Sequence, residues 1–323
     1  MSFSSEQIKK ISKEISSKVS GKTLFDEFSR GRYSTDASVY QIKPLGVILP
    51  KDTNDVLNIM DYSQRNSIPL LARGGGSSQC GQTVGESVVL DYSKHQNKIL
   101  ELNVKDKYVW VEPGVVLDHL NEYLKPYGLW FPVDVSTSSR ATIGGMSANN
   151  SCGSRSLYYG NMVHNVLAIE AILDDGSIFT FDQIEKNFLE RKNNQDRLYK
   201  IIDKFIDVRQ KVTNDIKDNW PTTQRRVGGY NIDLIDPNGF NSSNLLVGSE
   251  GTLSLFNKIK LKLSEIPKNK ILGVCYFDNF HQAMELAKEI VKLKPTCVEL
   301  MDQNLLNLAR EIPMYAEGIK KYI

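Results

Sequence analysis

Apolar residues recur at two different spacings along this chain, and the switches between them divide it into elements. Ile8, Ile11, Ile15 and Val19 stand three or four residues apart, which predicts a helix docked by one face. The unbroken run Leu45 to Leu49 reads as a strand stopped by Pro50. Asp52-Thr53 then predicts a helix start, with Val56, Ile59, Met60 and Ser63 sharing a face. A further apolar run, Ile68 to Ala72, completes a strand–helix–strand unit. Val88 to Leu90 reads as another strand, and Ile99 to Leu102 pairs with Tyr108 to Val111 across the polar turn Lys105-Asp106-Lys107. Helical spacing returns at Val116, Leu120 and Leu124 before Pro126 and Gly128 break it.

From Pro132 to Gly160 the periodicity gives way to small and polar residues, among them Asp134, Ser136 to Arg140, Asn149 and Tyr158-Tyr159. A stretch this long with neither period is uncommon in a compact domain unless it has a job, and so many donors beside glycines suit the wall of a large polar ligand. Alternation resumes at Val166 and turns through Asp174-Asp175-Gly176 into Ile178 to Phe181. Residues 183–220 are charged and helical in pattern, with Leu198, Ile201, Ile202, Phe205 and Val208 on the apolar face, which predicts a helical excursion outside the sheet. Leu245 to Val247 reads as a strand leading into a second glycine cluster, Gly248-Ser249-Glu250-Gly251-Thr252. After Pro267 the pattern becomes strand Ile271 to Phe277, helix Phe280 to Leu293, strand Cys297 to Met301 and a last helix from Asp302, as in half of an α/β domain.

Composition narrows the classes. A net charge of +2 over 323 residues, with no block of Lys or Arg, argues against nucleic acid or an anionic membrane as the main partner. No apolar run approaches the ~18 residues of a membrane span, and Met1 to Ser20 lacks a secretory core, so a cytoplasmic location is expected, with peripheral membrane contact left open. The four cysteines form no C-x-x-C pair, so no metal site is expected within this chain.

The candidate chemistry centres on the stretch after Ala72, which reads Arg73-Gly74-Gly75-Gly76-Ser77-Ser78-Gln79-Cys80-Gly81-Gln82. Three glycines bring backbone amides close to an anion, the serines add hydroxyls, and Arg73 adds a fork-shaped cation; together they read as a pyrophosphate cradle. Two better-known cradles do not fit. There is no Gly-Lys-Ser/Thr ending, and Gln79 stands where the dinucleotide fingerprint wants glycine.

The succession Pro50, Arg73 to Ser78, Gly81-Gln82, Glu112-Pro113-Gly114, Thr142-Ile143-Gly144-Gly145, Asn150-Ser151-Cys152-Gly153, Tyr159-Gly160 and Gly248 to Thr252 resembles the FAD-linked oxidases of the vanillyl-alcohol oxidase type. Within them it is most similar to the D-lactate, glycolate and D-2-hydroxyglutarate dehydrogenases. Tyr33 to Ser38 and Arg226 to Asn231 are similar to the long members that carry an iron–sulfur domain. The resemblance implies an α+β chain: an N-terminal helical segment (1–39), a two-subdomain FAD-binding PCMH-type fold (40–267), and the first half of a ferredoxin-like α/β cap domain (268–323), apparently truncated. It implies non-covalent FAD held by Arg73, Gly74, Gly75, Gly76, Ser77, Ser78, Gly81, Gln82, Gly114, Thr142, Gly144, Gly145, Asn150, Ser151, Gly153, Glu250 and Gly251. It further implies oxidation of a 2-hydroxy acid by hydride transfer to flavin, with Arg225 or Arg226 on the substrate carboxylate. Electrons would go to a separate acceptor or an iron–sulfur domain. His95, His119, His164 and His281 stand in no motif of the family, so the base, and any iron–sulfur cluster or divalent metal, is expected beyond Ile323. Two alternatives remain open: a same-fold enzyme for an alcohol or sugar, and a flavin-binding electron-transfer subunit without catalysis of its own.

Overall fold

The computed structural model describes residues 3–186 and 196–322. Helix α1 (Ser5–Ser16) is capped by Ser4, whose side chain accepts from Gln7 N–H while the Gln7 side chain returns the bond. Ile11 and Ile15 are its buried face; of the other two expected positions Ile8 is partly buried beside them, and Val19 packs against the same core but lies beyond the helix end. Strand β1 (Lys22–Leu24) lies antiparallel to β2 (Gly46–Leu49). Helix α2 (Glu27–Arg32) lies between them in sequence, and α3 (Thr53–Asn66), capped by Asp52, leads from β2 to β3 (Leu70–Arg73). β4 (Val88–Asp91) inserts between β2 and β3 and runs parallel to both, giving the order β1-β2-β4-β3. Asp55 on α3 ties down the incoming chain by accepting N–H bonds from Ser20 (2.7 Å), Gly21 (2.9 Å) and Lys51 (2.8 Å). A first core of Ile11, Ile15, Ile48, Val56, Ile59, Tyr62, Leu90 and Tyr92 fills this subdomain.

The second subdomain is an antiparallel sheet. β5 (Ile99–Asn103) and β6 (Tyr108–Val111) form the expected hairpin, and β8 (Val166–Ile172) and β9 (Ile178–Phe181) form the other; β7 (Leu129–Trp130) lies between the two in sequence. Between the hairpins runs β12 (Leu255–Lys262), for the order β5-β6-β12-β8-β9. Helix α4 (Leu117–Leu124) lays Leu117, Leu120 and Leu124 onto a core shared with Val109, Phe131, Ile169, Ile259 and Leu261.

Some elements depart from expectation. Gln183–Glu185 is not helical but forms β10, paired with β11 (Gly239–Asn241), and the excursion proper is the pair of helices Arg197–Lys211 and Thr213–Asn219. Part of that expectation lies outside the described residues. Leu245 to Val247 is no strand: a 3-10 turn spans Ser242–Leu245, because Asn241 and Ser243 hydrogen-bond to the local backbone and to Val166 O instead of a ladder. In the C-terminal part the helix Phe280–Lys292 forms, capped by Asn279, and helices Gln303–Glu311 and Pro313–Tyr322 follow. The expected strands at 271–277 and 297–301 do not form, since no strand among the described residues runs beside them to complete a ladder.

Candidate functional site

β3 and β4 end side by side at Arg73 and Asp91, and the chain leaves β3 directly into the glycine loop, at the carboxyl edge of a parallel pair. From Gly74 to Ser78 no backbone N–H finds an acceptor among the described residues. The loop therefore presents a row of unspent donors, as an anion cradle requires. Its glycines are needed for packing as well: a Cβ on Gly74 would strike the Thr142 hydroxyl, and one on Gly75 the Arg140 carbonyl. Gly75 thus keeps the loop seated on the 140–142 segment, a more direct reason for glycine than clearance for a ligand.

Arg73 is placed otherwise than a free phosphate-binding cation. Its guanidinium donates to the carbonyls of Thr35 (2.8 Å), Thr83 (3.1 Å) and Tyr33 (3.3 Å) and stacks on the Tyr33 ring. Tyr33 in turn donates its hydroxyl to buried Asp91. Burial lowers the Arg73 pKa and raises that of Tyr33, and the bond to Asp91 raises Tyr33 further. Arg73 braces the loop from behind against the N-terminal segment.

In front of the loop lies a cavity of about 420 Å³. Its lining joins Arg73, Gly74, Gly75, Gly76, Ser77, Ser78 and Gln82 to Thr142, Gly144, Gly145, Ser151, Glu250 and Gly251, thirteen sequence-predicted residues brought together from four segments. Glu250, in left-handed backbone (φ 50°), accepts from Gln82 Nε2 (3.1 Å), linking the second glycine cluster to the first. The other four stand behind the wall. Asn150 is fully buried, with Oδ1 accepting from Val163 N–H (3.0 Å); Gly153 packs on the Asp134 carbonyl; Gly114 donates to Gln96 O (2.8 Å); Gly81 faces the Tyr40 ring. No histidine or cysteine is among the lining residues.

The cavity lies on the seam between the two subdomains. Leu70, Ala72, Tyr92 and Leu255 belong to the first core or pack against it; Ala141, Met146 and Phe256 belong to the second. Sequence reasoning missed Tyr92, Ser254 and Phe256 as lining residues, whereas Val135, Thr137 and Met146 fall in the 132–160 stretch expected to form a ligand wall. The signal for Tyr92 was its place one residue past an apolar strand, and for Ser254 its nearness to Gly248 to Thr252.

The segment 224–231 hydrogen-bonds to residues in or next to the cavity lining. Arg225 Nη2 donates to Cys152 Sγ (3.0 Å), next to the lining residue Ser151, and Tyr230 pairs its hydroxyl with that of lining residue Thr252 (2.8 Å). Arg226 turns the other way, into an ion pair with Asp233 and onto the Trp220 ring. The histidines stay apart: His95, His119 and His281 are exposed, and His164 Nδ1 accepts from Asn161 N–H (3.0 Å).

Residues 44–182 match the FAD binding domain family. D-2-hydroxyglutarate dehydrogenase of Haemophilus influenzae (strain ATCC 51907 / DSM 11121 / KW20 / Rd) is 36% identical over 291 residues, 86% of this chain and 28% of that protein. The enzyme of the same name from Escherichia coli (strain K12) is 34% identical over 301 residues, 90% of this chain and 29% of that protein. Glycolate oxidase subunit GlcD of Bacillus subtilis (strain 168) is 29% identical, covering 89% of this chain and 52% of its own length. The chain thus spans under a third of the D-2-hydroxyglutarate dehydrogenases it matches. Among solved structures, alkyldihydroxyacetonephosphate synthase superposes with a TM-score of 0.58 at 17% identity, over 85% of this chain and 47% of that one, which is a likeness of fold. A donor-rich glycine loop facing a seam cavity fits the pyrophosphate and rings of a dinucleotide, in line with the match of residues 44–182 to the FAD binding domain family and with a fold of the FAD-binding PCMH type.

Proposed function

We propose that the whole protein oxidises a 2-hydroxy acid of the D-2-hydroxyglutarate, D-lactate or glycolate class, and that this chain supplies its FAD site and its carboxylate anchor. The observation that carries the reading is the exposed Arg225 guanidinium bonded to Cys152, one residue from lining residue Ser151, since a fork-shaped cation there suits a carboxylate. Similarity to D-2-hydroxyglutarate dehydrogenases at 34% and 36% identity supports the same class. When bound, FAD supplies the hydride acceptor. The amides of Gly74 to Ser78 hold its pyrophosphate, the apolar lining excludes water, and Arg225 orients the acid so that its α-carbon enters the cavity. A base within hydrogen-bond reach must take the hydroxyl proton. No lining residue is a histidine, and the one lining carboxylate, Glu250, accepts from Gln82 Nε2.

The test is anaerobic addition of each of the three acids to the FAD-loaded whole protein. The flavin absorbance should bleach, fastest with the preferred acid. Bleaching by an alcohol or sugar alone would overturn the substrate class, and none with any donor would favour an electron-transfer subunit.

A further inference from the structure

The stretch Tyr33 to Tyr40 precedes the residues matched to the FAD binding domain family, yet it carries the back of the glycine loop. It is closed on itself by the bond from Ile42 N–H to Ser34 O (2.8 Å) and by a bridge between Thr35 and Gln41. From this closed strap Ala37 donates its N–H to Gly76 O (3.2 Å), and the carbonyls of Tyr33 and Thr35 accept from the Arg73 guanidinium. The Tyr40 ring packs where a Cβ on Gly81 would stand. Asp36 adds two bonds. Its Oδ1 accepts from Ser38 N–H (2.8 Å), which folds the strap, and its Oδ2 accepts from the Thr83 hydroxyl (3.0 Å), while Thr83 O accepts from Arg73 (3.1 Å).

Gly76 has left-handed backbone (φ 62°), and a Cβ there would meet the Arg73 guanidinium, so the place of that guanidinium decides where the turn can lie. A long side chain holds one place only if its surroundings offset the rotamer entropy; here three carbonyls and the Tyr33 ring do so. Asp36 does not line the cavity, but it stands one hydrogen bond from the lining residue Thr83. A carboxylate there repels an anion in the cradle, so charge does not account for it, and its two acceptor bonds do. We infer that Asp36 is a positioning residue for the cradle: by holding Thr83 it fixes a carbonyl that receives Arg73, and through Arg73 the turn from Gly74 to Gly76. The inference rests on the FAD reading of the cavity for what the loop binds, and on the hydrogen bonds alone for how the loop is held.

The test uses Asp36→Ala, Asp36→Asn and Thr83→Val, none of which removes buried apolar packing. Apoprotein is titrated with FAD by quenching of flavin fluorescence, and hydrogen–deuterium exchange of residues 74–83 is followed without ligand. Asp36→Ala and Thr83→Val should each weaken FAD by about 3- to 10-fold, as for one lost hydrogen bond, and should speed exchange at 74–83 while leaving β4 and β12 unchanged. Asp36→Asn keeps an oxygen for Ser38 N–H and gains an amide that the Thr83 hydroxyl can accept, so it should bind as the parent does. The double variant should be no weaker than Asp36→Ala, because both changes remove the same bond. Unchanged exchange at 74–83, or unchanged FAD affinity, in both Asp36→Ala and Thr83→Val overturns the inference. So does Asp36→Asn as weak as Asp36→Ala, which would make the charge the cause, and so does faster exchange across the whole chain, which would make the role general stability. An additive double variant overturns it as well. If the parent chain binds no FAD, the cofactor reading fails, and the exchange at 74–83 still decides whether Asp36 positions the loop.

Discussion

Arg225 and Arg226 are neighbours in sequence with different duties. Arg226 is held by Asp233 and by Trp220, with side-chain exposures of 24% and 16% across the ion pair, so its charge is engaged inside the protein. Removing it strands the Asp233 carboxylate, one of whose oxygens already lacks a partner. Arg226→Met should therefore destabilise the protein by about 2 kcal/mol, less than a fully buried pair because water still reaches both groups. Arg225→Met should leave the unfolding midpoint and FAD content intact and raise KM for the acid about 10- to 100-fold. Denaturant titration and steady-state kinetics on both variants separate the two roles, and equal behaviour would sink the assignment. Which arginine faces the site was not legible in Arg225-Arg226-Val227-Gly228-Gly229, because the choice depends on Asp233 and Cys152 arriving from elsewhere. The cradle was legible because backbone geometry there tolerates few residues. Tyr92 and Ser254 were not, since ordinary neutral side chains join a cavity wall only when two distant segments meet.

Among the elements, α1 shows how a predicted amphipathic helix acquires a chemical lock. Its Ile11 and Ile15 dock on the first core, and Glu14 accepts the Tyr62 hydroxyl of α3 at 2.8 Å. Burial, and then the bond to Glu14, push the Tyr62 phenol up to about 12 from its ordinary 10. A folded value above the unfolded one means stability that is complete below pH 10 and lost as pH rises through 12. Tyr92 and Tyr33 are shifted in the same direction, so all three add to one alkaline transition. Tyr62→Phe should shallow the loss of stability between about pH 10 and 12 without abolishing it. Unfolding midpoints measured across that range would check this, and an unchanged slope would refute the lock. Helices with one strong face were read well, as in α3, where the expected Val56, Ile59, Met60 and Ser63 are all buried, together with Asp55 and Tyr62, which the spacing did not single out. Strands were read well where a hairpin partner lay nearby, and misread at Leu245 to Val247, where side-chain bonds to backbone replace the ladder.

At the scale of the molecule, the subdomains meet across the cavity, and neither is complete within the segment that matches the domain family. β12 begins at Leu255, beyond residue 182, yet it is the middle strand of the second sheet, pairing Ile259 with both Val111 and Ile169. A chain of residues 1–182 would carry two hairpins with no strand between them and exposed apolar faces on each. It should give no cooperative unfolding transition, whereas residues 1–267 should give one; a sharp calorimetric transition from the shorter chain would refute the dependence. The same arrangement sets a timetable in the cell. Ribosomes add about 5–20 residues per second, so the nascent hairpin β5–β6 waits on the order of ten seconds for the strand that seals it. Over that interval its open edge and apolar face are available to chaperones or to neighbouring chains, and the yield of folded protein depends on which arrives first.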